Sequence, residues 1–288
     1  MYPPSFDYSA PGSLEEALAR LGELGDEGRV LAGGQSLIPM MKLRLASPGH
    51  LVDINRLSDL AYVRRDNGHL AVGALARHAD IVASPDVVGA MAEAAPWIAD
   101  PLVRNRGTLV GSVAHCDPEG DWNSVMLALG ATVVAVSSNG EREIPISEFI
   151  VDFFTNSLQP GEMVKEVRVP VPSASSGGSY IKLERKIGDY ATVGVATHLE
   201  LDDGGVISQA GIGLTNVHHY NLKATGAEQL LKGQKPSPDL FGQAGDAAAD
   251  ACQPTSDVRG PADYKRAVVR EYVKRGLAKS LAAARGEG

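Results

Sequence analysis

Cysteine is scarce in this chain, and so is any excess of positive charge. Its 288 residues include only Cys116 and Cys252, whereas an iron–sulfur cluster usually takes four cysteine ligands. The formal net charge is −8, and a nucleic-acid-binding protein needs a basic surface instead. We therefore expect neither an iron–sulfur cluster on this chain nor binding to nucleic acid.

Long apolar stretches are also missing. The sequence has no run of about 18 apolar residues, the length that indicates a transmembrane helix. The first residues lack the basic and apolar segments of a signal peptide. Two cysteines far apart are most simply free thiols, as in cytosolic proteins. We therefore predict a cytoplasmic protein without a transmembrane segment, in which 44% apolar residues form one large domain or two smaller ones.

One stretch combines a short apolar run with two adjacent glycines. Residues 30–32 predict a strand, Gly33 and Gly34 end it, and Ser36 can cap the helix that follows. Glycine adopts positive φ readily and has no Cβ to block a ligand. The stretch suits a site for phosphate or another anion, although on this stretch alone the ligand-free interpretation is preferred. A tight turn with a capped helix and no ligand is the alternative.

Glycines and hydroxyl side chains recur further along the chain. The pairs Gly107-Thr108 and Gly111-Ser112 would let backbone N–H groups approach phosphate oxygens, and both hydroxyls can add hydrogen bonds. An ionised Asp121 only accepts hydrogen bonds, which suits a ribose or ribityl hydroxyl. The segment therefore predicts a second contact with a phosphate-containing ligand.

No metal site is predicted beside these glycines. His115, Cys116 and Asp117 are adjacent in sequence, and three neighbouring residues cannot easily surround one ion. The spacing also indicates no catalytic triad, so no residue is assigned a catalytic role.

Tyr190 is the third candidate. It follows the turn formers Gly188 and Asp189 and precedes an apolar run. A ring presented by that turn could stack on a flat heterocycle, but on this residue alone a tyrosine of the core or rim is the preferred interpretation.

The remaining pattern predicts an α+β protein. Turn-forming residues dominate positions 171–178 and indicate a domain boundary. Several strands follow one another and the helices are grouped. A doubly wound parallel sheet would instead need strands and helices that alternate along the chain. The strands are predicted at 51–54, 69–73, 132–136, 142–146, 166–170, 179–183, 192–201 and 206–214, and the helices at 13–24, 79–95 (broken near 84–85), 239–251 and 261–284. Turn formers at 138–140 and 202–205 predict two hairpins, and Ser13 with Glu16 predicts a capping box at the start of the first helix.

The last predicted helix is rich in basic residues. We interpret them as a solvated face, with a docking surface for a partner subunit as the alternative. These residues are Lys265, Arg266, Arg270, Lys274, Arg275 and Lys279.

Four ordered motifs together resemble a known family. They occupy residues 32–39 (AGGQSLIP), 106–112 (RGTLVGS), 117–121 (DPEGD) and 186–191 (KIGDYA). They closely resemble the FAD-binding medium subunit of molybdenum hydroxylases, above all the aerobic carbon monoxide dehydrogenase type. Residues 212–217 and 257–264 are similar to that family's C-terminal domain, so the resemblance covers nearly the whole chain.

The resemblance implies a fold and a set of FAD contacts. The fold is a vanillyl-alcohol-oxidase-type FAD-binding domain of two α/β subdomains (1–172), followed by a small domain with a three-stranded antiparallel sheet and helices (177–285). Both glycine loops would hold the FAD pyrophosphate, and Tyr190 would cover one isoalloxazine face. The implied FAD-binding residues are Leu31, Ala32, Gly33, Gly34, Gln35, Ser36, Leu37, Ile98, Thr108, Leu109, Val110, Gly111, Ser112, Asp117, Asp121 and Tyr190.

The second loop departs from the family pattern. The family commonly has Thr-Ile-Gly-Gly-Asn where this chain has residues 108–112, TLVGS. Ser112 keeps a hydrogen-bonding group, whereas Val110 adds bulk where backbone would approach phosphate. We expect the departure to affect the affinity or pose of FAD.

The function implied is electron relay. In the resembled complexes a large subunit oxidises the substrate at a molybdenum cofactor, and [2Fe–2S] clusters on a small subunit pass the electrons to FAD. A quinone, NAD or another acceptor takes them from there. Carbon monoxide is the leading substrate, an N-heterocycle or aldehyde the alternative. The assembly implied is a dimer of heterotrimers, cytoplasmic or at the inner face of the membrane. A flavin-free structural adaptor and a self-sufficient flavin reductase are two further hypotheses.

Overall fold

The computed structural model describes residues 2–287. Within this range no helix is long and apolar enough to span a bilayer. The helices are α1 (Leu14–Leu24), α2 (Leu37–Lys42), α3 (His78–Ala83), α4 (Gly89–Ala94), α5 (Pro101–Arg104), α6 (Leu109–His115), α7 (Asp121–Leu129), α8 (Ile146–Phe149), α9 (Thr225–Leu231), α10 (Pro238–Ala251) and α11 (Ala262–Ala284). The strands are β1 (Asp7–Ser9), β2 (Gly28–Leu31), β3 (His50–Asp53), β4 (Val63–Asp66), β5 (His69–Gly73), β6 (Thr132–Ser137), β7 (Gly140–Pro145), β8 (Ile150–Asp152), β9 (Thr155–Asn156), β10 (Met163–Pro170), β11 (Ser176–Leu183), β12 (Val193–Leu201), β13 (Ile207–Thr215) and β14 (Leu222–Lys223).

A small parallel sheet in the order β1-β3-β2 begins the fold. Helix α1 starts as predicted, because the Ser13 side chain accepts a hydrogen bond from the Glu16 N–H. The Glu16 carboxylate returns to the backbone N–H of Gly12, at 2.8 Å, and not to that of Ser13. One face of α1 is buried through Leu18 and Leu21. The first glycine loop follows β2 at the end of this sheet.

An antiparallel sheet in the order β4-β5-β10-β6-β7 forms the second subdomain. The predicted hairpin around residues 138–140 is confirmed, because β6 and β7 pair from Thr132 opposite Pro145 to Ser137 opposite Gly140. Helix α7 carries the fully buried Trp122. The apolar residues of both N-terminal sheets and their helices form one continuous core.

The C-terminal sheet has the order β11-β12-β13-β14 and is antiparallel. The three predicted strands are confirmed, as is the turn at residues 202–205, where the Asp202 N–H donates to the Val206 carbonyl. The two-residue β14 was not predicted, because so short a strand has no visible alternation. Helices α10 and α11 pack against this sheet around a second core.

Helix α7 also packs directly on the C-terminal sheet. A Cβ on Gly213 of β13 would lie 1.8 Å from the Ser124 carbonyl oxygen, and one on Gly211 would lie 1.8 Å from that of Ala128. Only glycine therefore permits this approach of helix and strand. The contact connects the two cores beside the cleft described below.

Strand β10 ends at Pro170 and β11 begins at Ser176. The irregular segment is thus shorter than predicted, because residues 176–178 already pair with β12. We keep the domain limits 1–172 and 177–285 as a proposal.

The basic residues of α11 do not all lie on a solvated face. Lys265 is fully buried, and its ammonium contacts the Asp257 carboxylate at 2.6 Å. For this residue the interpretation was wrong, because the turn before α11 folds back over the helix. Arg266, Arg270 and Arg275 do lie on the outside, each paired with a nearby carboxylate.

Candidate functional site

A cleft of about 1040 Å³ lies between the two glycine loops and the β11–β12 connection. Its volume is at the upper end of the roughly 300–1,000 Å³ typical of small-molecule sites. All of the predicted site residues line it except Leu109. Leu109 is the first residue of α6, and its fully buried side chain lies in the core instead.

The first glycine loop presents a run of free backbone donors. Among residues 2–287, no hydrogen-bond acceptor is found for the N–H groups of residues 33–37. Gly34 has φ +72°, whereas Gly33 does not have positive φ. Ser36 does not cap α2, because its backbone is already helical (φ −104°, ψ −50°) and a capping residue is extended. Its hydroxyl and the free donors are therefore available to an anion.

Gly33 lies against the second glycine loop. A Cβ at this position would be 2.3 Å from the Arg106 carbonyl oxygen and 2.7 Å from the Gly107 Cα. Both neighbours are backbone atoms, which cannot rotate away. The absence of a side chain at Gly33 therefore allows the two loops to meet.

Two polar side chains join the loops from behind. Asn55 donates to the Ala32 carbonyl at 2.8 Å. Arg77 donates to the Asn55 side-chain oxygen and to the Arg106 carbonyl, both at 2.6 Å. This chain of hydrogen bonds fixes the distance between the loops.

The second loop opens α6. Thr108 caps the helix by accepting from the Gly111 N–H at 3.0 Å. No acceptor within residues 2–287 is found for the N–H groups of Leu109 and Val110. Val110 is only 3% exposed and belongs to the core. Most of the Val110 side chain therefore packs inside the protein, and this burial does not support the expectation that it crowds the phosphate loop.

A buried histidine supports this loop. The Trp122 indole donates to His78 Nδ1 at 3.1 Å, and the His78 backbone N–H donates to the Gly107 carbonyl. Burial, assisted by the nearby cations of Arg104 and Arg77, lowers the pKa of His78 to about 4. The ring is therefore neutral at pH 7 and accepts from the indole.

Asp121 is not a free acceptor, contrary to expectation. The Tyr180 hydroxyl donates to its Oδ1 at 2.5 Å, and the Lys182 ammonium donates to its Oδ2 at 2.9 Å. Lys182 also lies 3.5 Å from the Glu184 carboxylate. Burial raises the pKa of Asp121, and Lys182 opposes that rise. A ligand hydroxyl could use only the lone pairs that these two donors leave free.

Tyr190 and Asp117 also line the cleft. Tyr190 is 48% exposed, which makes it a rim residue and not a core residue. Partial burial and the carboxylates of Asp117 and Glu119 raise the pKa of Tyr190 to about 12. The hydroxyl is therefore protonated at neutral pH, and the ring can cover a flat ligand.

Several residues of the site were not predicted. They line the cleft or hold its loops: Asn55, Arg77, His78, Trp122 and Lys182. Only Asn55 had a local signal, as a polar residue directly after a predicted strand. The others are brought to the cleft by contacts distant in sequence.

The geometry fits a dinucleotide such as FAD. Two loops with free N–H donors face one cleft, as a pyrophosphate requires, and an exposed aromatic ring lies at the rim. Residues 4–172 match the family described as the FAD binding domain in molybdopterin dehydrogenase. Residues 178–280 match the CO dehydrogenase flavoprotein C-terminal domain. The chain belongs to the FAD-binding medium subunits of the molybdenum hydroxylases. FAD is therefore its cofactor, and the chain is part of an oxidoreductase.

Relatives match along almost the whole chain. It is 42% identical to the carbon monoxide dehydrogenase medium chain of Hydrogenophaga pseudoflava, over 96% of this chain and 97% of that one. It is 41% identical to subunit alpha of the 6-hydroxypseudooxynicotine dehydrogenase complex of Paenarthrobacter nicotinovorans, over 99% of this chain and 97% of that one. A solved structure of the H. pseudoflava carbon monoxide dehydrogenase superposes with a TM-score of 0.94 at 43% identity, covering 98% of this chain and 99% of that one. The predicted family and α+β fold are confirmed.

Proposed function

We propose that this chain is the flavin relay subunit of a molybdenum hydroxylase complex that oxidises carbon monoxide. The observation that carries the flavin part of the proposal is the pair of glycine loops, which line one cleft and have N–H groups without an acceptor in the described residues. The similarity to a carbon monoxide dehydrogenase medium chain supports the substrate. Bound FAD supplies the redox chemistry, taking electrons from iron–sulfur clusters and delivering them to an acceptor. The polypeptide itself binds and orients the cofactor and excludes water.

Different residues along the cleft contact different parts of FAD in this proposal. Residues 33–37 and the first turn of α6 hold the pyrophosphate through backbone N–H groups, with Ser36 and Ser112 adding hydroxyls. Asn55 and Arg77 keep the two loops at a fixed distance from each other. Ile98 and Tyr190, which both line the cleft, would contact the isoalloxazine.

The partners follow from the resembled complexes. A large subunit carries the molybdenum cofactor and a small subunit carries the [2Fe–2S] clusters, and a dimer of such heterotrimers is the proposed assembly. A quinone is the proposed acceptor, with the complex in the cytoplasm or at the inner face of the membrane. The relative that acts on 6-hydroxypseudooxynicotine is almost equally similar, so an N-heterocycle is the second candidate substrate.

The purified complex tests the function. It should contain FAD near-stoichiometric with this chain, measured by visible absorption after cofactor extraction, and it should reduce an added quinone when carbon monoxide is supplied. Reduction driven only by an N-heterocycle would favour the second candidate. A complex without flavin would contradict the relay function and favour the structural adaptor.

Tyr190→Ala should leave FAD bound but brighten its fluorescence. The pyrophosphate loops keep the cofactor, whereas an aromatic contact worth about 0.5–1.5 kcal/mol is lost, and with it the quenching by the ring. Quinone reduction should change while substrate oxidation at the large subunit stays intact. Emission and acceptor reduction are measured on one preparation, with Tyr2→Ala as control because this tyrosine is exposed and does not line the cleft. If the emission of Tyr190→Ala equals that of wild type, Tyr190 is only a rim residue.

A further inference from the structure

The turn before α11 extends from the C-terminal domain to the rim of the cleft. Its Arg259 contacts the Glu119 carboxylate at 3.0 Å and the Asp189 carboxylate at 3.7 Å. The guanidinium carbon lies 5.9 Å from the centre of the Tyr190 ring. The side chain is only 13% exposed. One guanidinium therefore touches two segments that line the cleft at its Tyr190 end.

The turn that carries Arg259 is itself fixed. The Asp257 carboxylate accepts hydrogen bonds from the N–H groups of Arg259 and Gly260, at 2.8 and 3.2 Å. Its other oxygen accepts from the buried Lys265 ammonium at 2.6 Å. Because Lys265 belongs to α11, the position of Arg259 is tied to the longest helix of the fold.

The segment on the opposite side of Arg259 is a loop with an exposed tip. The loop formed by residues 184–190 contains Gly188 with φ +84° and Ile187, which is 93% exposed. Asp189 accepts from the Tyr190 N–H at 2.9 Å and from Arg185 at 3.3 Å. The Asp189 carboxylate therefore connects Tyr190 directly to Arg259.

We propose that Arg259 is a positioning residue that holds the loop 184–190 against the segment 117–121 and so places the Tyr190 ring over the cleft. The planar guanidinium can serve two carboxylates and present its face to a ring at the same time. Without it, Glu119 and Asp189 repel each other and the loop opens. The flavin part of this inference rests on the proposed function, in which Tyr190 covers the isoalloxazine.

Limited trypsin digestion of the full chain tests the bridge without any cofactor. Trypsin cleaves after Arg185 and Lys186, both inside the loop, and mass spectrometry quantifies the two products. Loss of a partly buried charge interaction should raise the open population, so Arg259→Met should be cut there about tenfold faster than wild type. Arg259→Lys should lie between the two, because it keeps the charge and loses the planar fork.

Arg275→Met is the matched control, since Arg275 pairs with Glu271 on the surface of α11 and does not line the cleft. It should be cut at the wild-type rate. Glu119→Gln removes the partner charge with little change of shape, and it provides a second test should Arg259→Met fold poorly. Cleavage of both Arg259→Met and Glu119→Gln at the wild-type rate would overturn the bridge.

The intensity of flavin fluorescence then distinguishes the Arg259 bridge from the placement of Tyr190 on the flavin. In the FAD-loaded chain, Arg259→Met should brighten the flavin in the same direction as Tyr190→Ala, with FAD still bound. Faster cleavage with unchanged emission in both variants would support the bridge and overturn the placement of Tyr190 on the flavin. A third outcome is that only Tyr190→Ala brightens the flavin, while Arg259→Met shows the cleavage rate and the emission of wild type. This outcome would overturn the bridge and leave the proposed function standing.

Discussion

Gly33→Ala should lose most of its FAD on purification. A Cβ at Gly33 would lie 2.3 Å from the Arg106 carbonyl oxygen and 2.7 Å from the Gly107 Cα, so the two loops must separate. Overpacking of this kind costs about 1–3 kcal/mol, which corresponds to roughly 10- to 100-fold weaker binding if the displaced loops must return to their present contact to bind FAD. Titration of FAD into deflavinated protein measures the change.

Gly22→Ala is the matched control for this prediction. It makes the same substitution inside α1, where an added Cβ meets nothing within 4 Å, and its FAD content should equal that of wild type. A folded Gly33→Ala that retains a full complement of FAD would show that the contact between the loops does not control binding. The structure changes the reason given from sequence, since the Cβ faces the second loop, and the positive φ belongs to Gly34.

Lys182→Met should destabilise the protein by about 3–5 kcal/mol, because breaking a buried ion pair leaves charge uncompensated. The Lys182 side chain is 1% exposed and lies 2.9 Å from the Asp121 carboxylate and 3.5 Å from that of Glu184. Its ammonium also donates to the Trp97 carbonyl at 3.1 Å. Without it, two carboxylates remain buried together. Urea denaturation of wild type and variant measures the difference in the free energy of unfolding.

Lys279→Met provides the control, because its ammonium lies 3.9 Å from Glu93 and its side chain is 59% exposed. Removal of such a surface pair should cost at most about 1 kcal/mol. If Lys182→Met were no more destabilising than Lys279→Met, the buried cluster would contribute little to stability.

The loss of unfolding free energy in Lys182→Met, called the deficit below, should depend on pH. Burial already raises the pKa of Asp121, and Lys182 opposes that rise, so the variant's folded pKa lies higher still. A carboxyl whose pKa is raised by folding takes up a proton on folding, and stability is then lost as pH rises through the folded pKa. The deficit should therefore shrink as the pH is lowered from about 8 to about 5. A deficit that is constant over this range would contradict the assignment to buried carboxylates.

Much of the fold could be predicted from local patterns. A short apolar run bounded by turn residues placed β5, the apolar segments after residue 178 placed β12 and β13, and the capping residue Ser13 placed the start of α1. Hairpin turns at residues 138–140 and 202–205 were predicted because their side chains favour tight turns without help from distant residues. Motif order indicated the family, since each motif is contiguous in sequence.

The contacts of individual site residues could not be predicted in this way. Asp121 resembled a free acceptor until the fold brought Tyr180 and Lys182 to it, from 59 and 61 residues away. Ser36 resembled a helix cap, but the loop puts its backbone into a helical conformation. Lys265 resembled a solvated residue, and the turn at Asp257 covers it.

The sequence by itself determined the positions of both glycine loops and most of the strands, because these depend on local backbone preferences and on side-chain periodicity. It indicated the ligand through the resemblance of four motifs to a known family. Only the tertiary structure decided what each loop touches. Gly33 meets the second loop through the backbone of Arg106 and Gly107, and Arg259 reaches Glu119 across 140 residues of chain. Such contacts depend on how the elements pack, and packing sums many weak interactions that no single stretch of sequence contains.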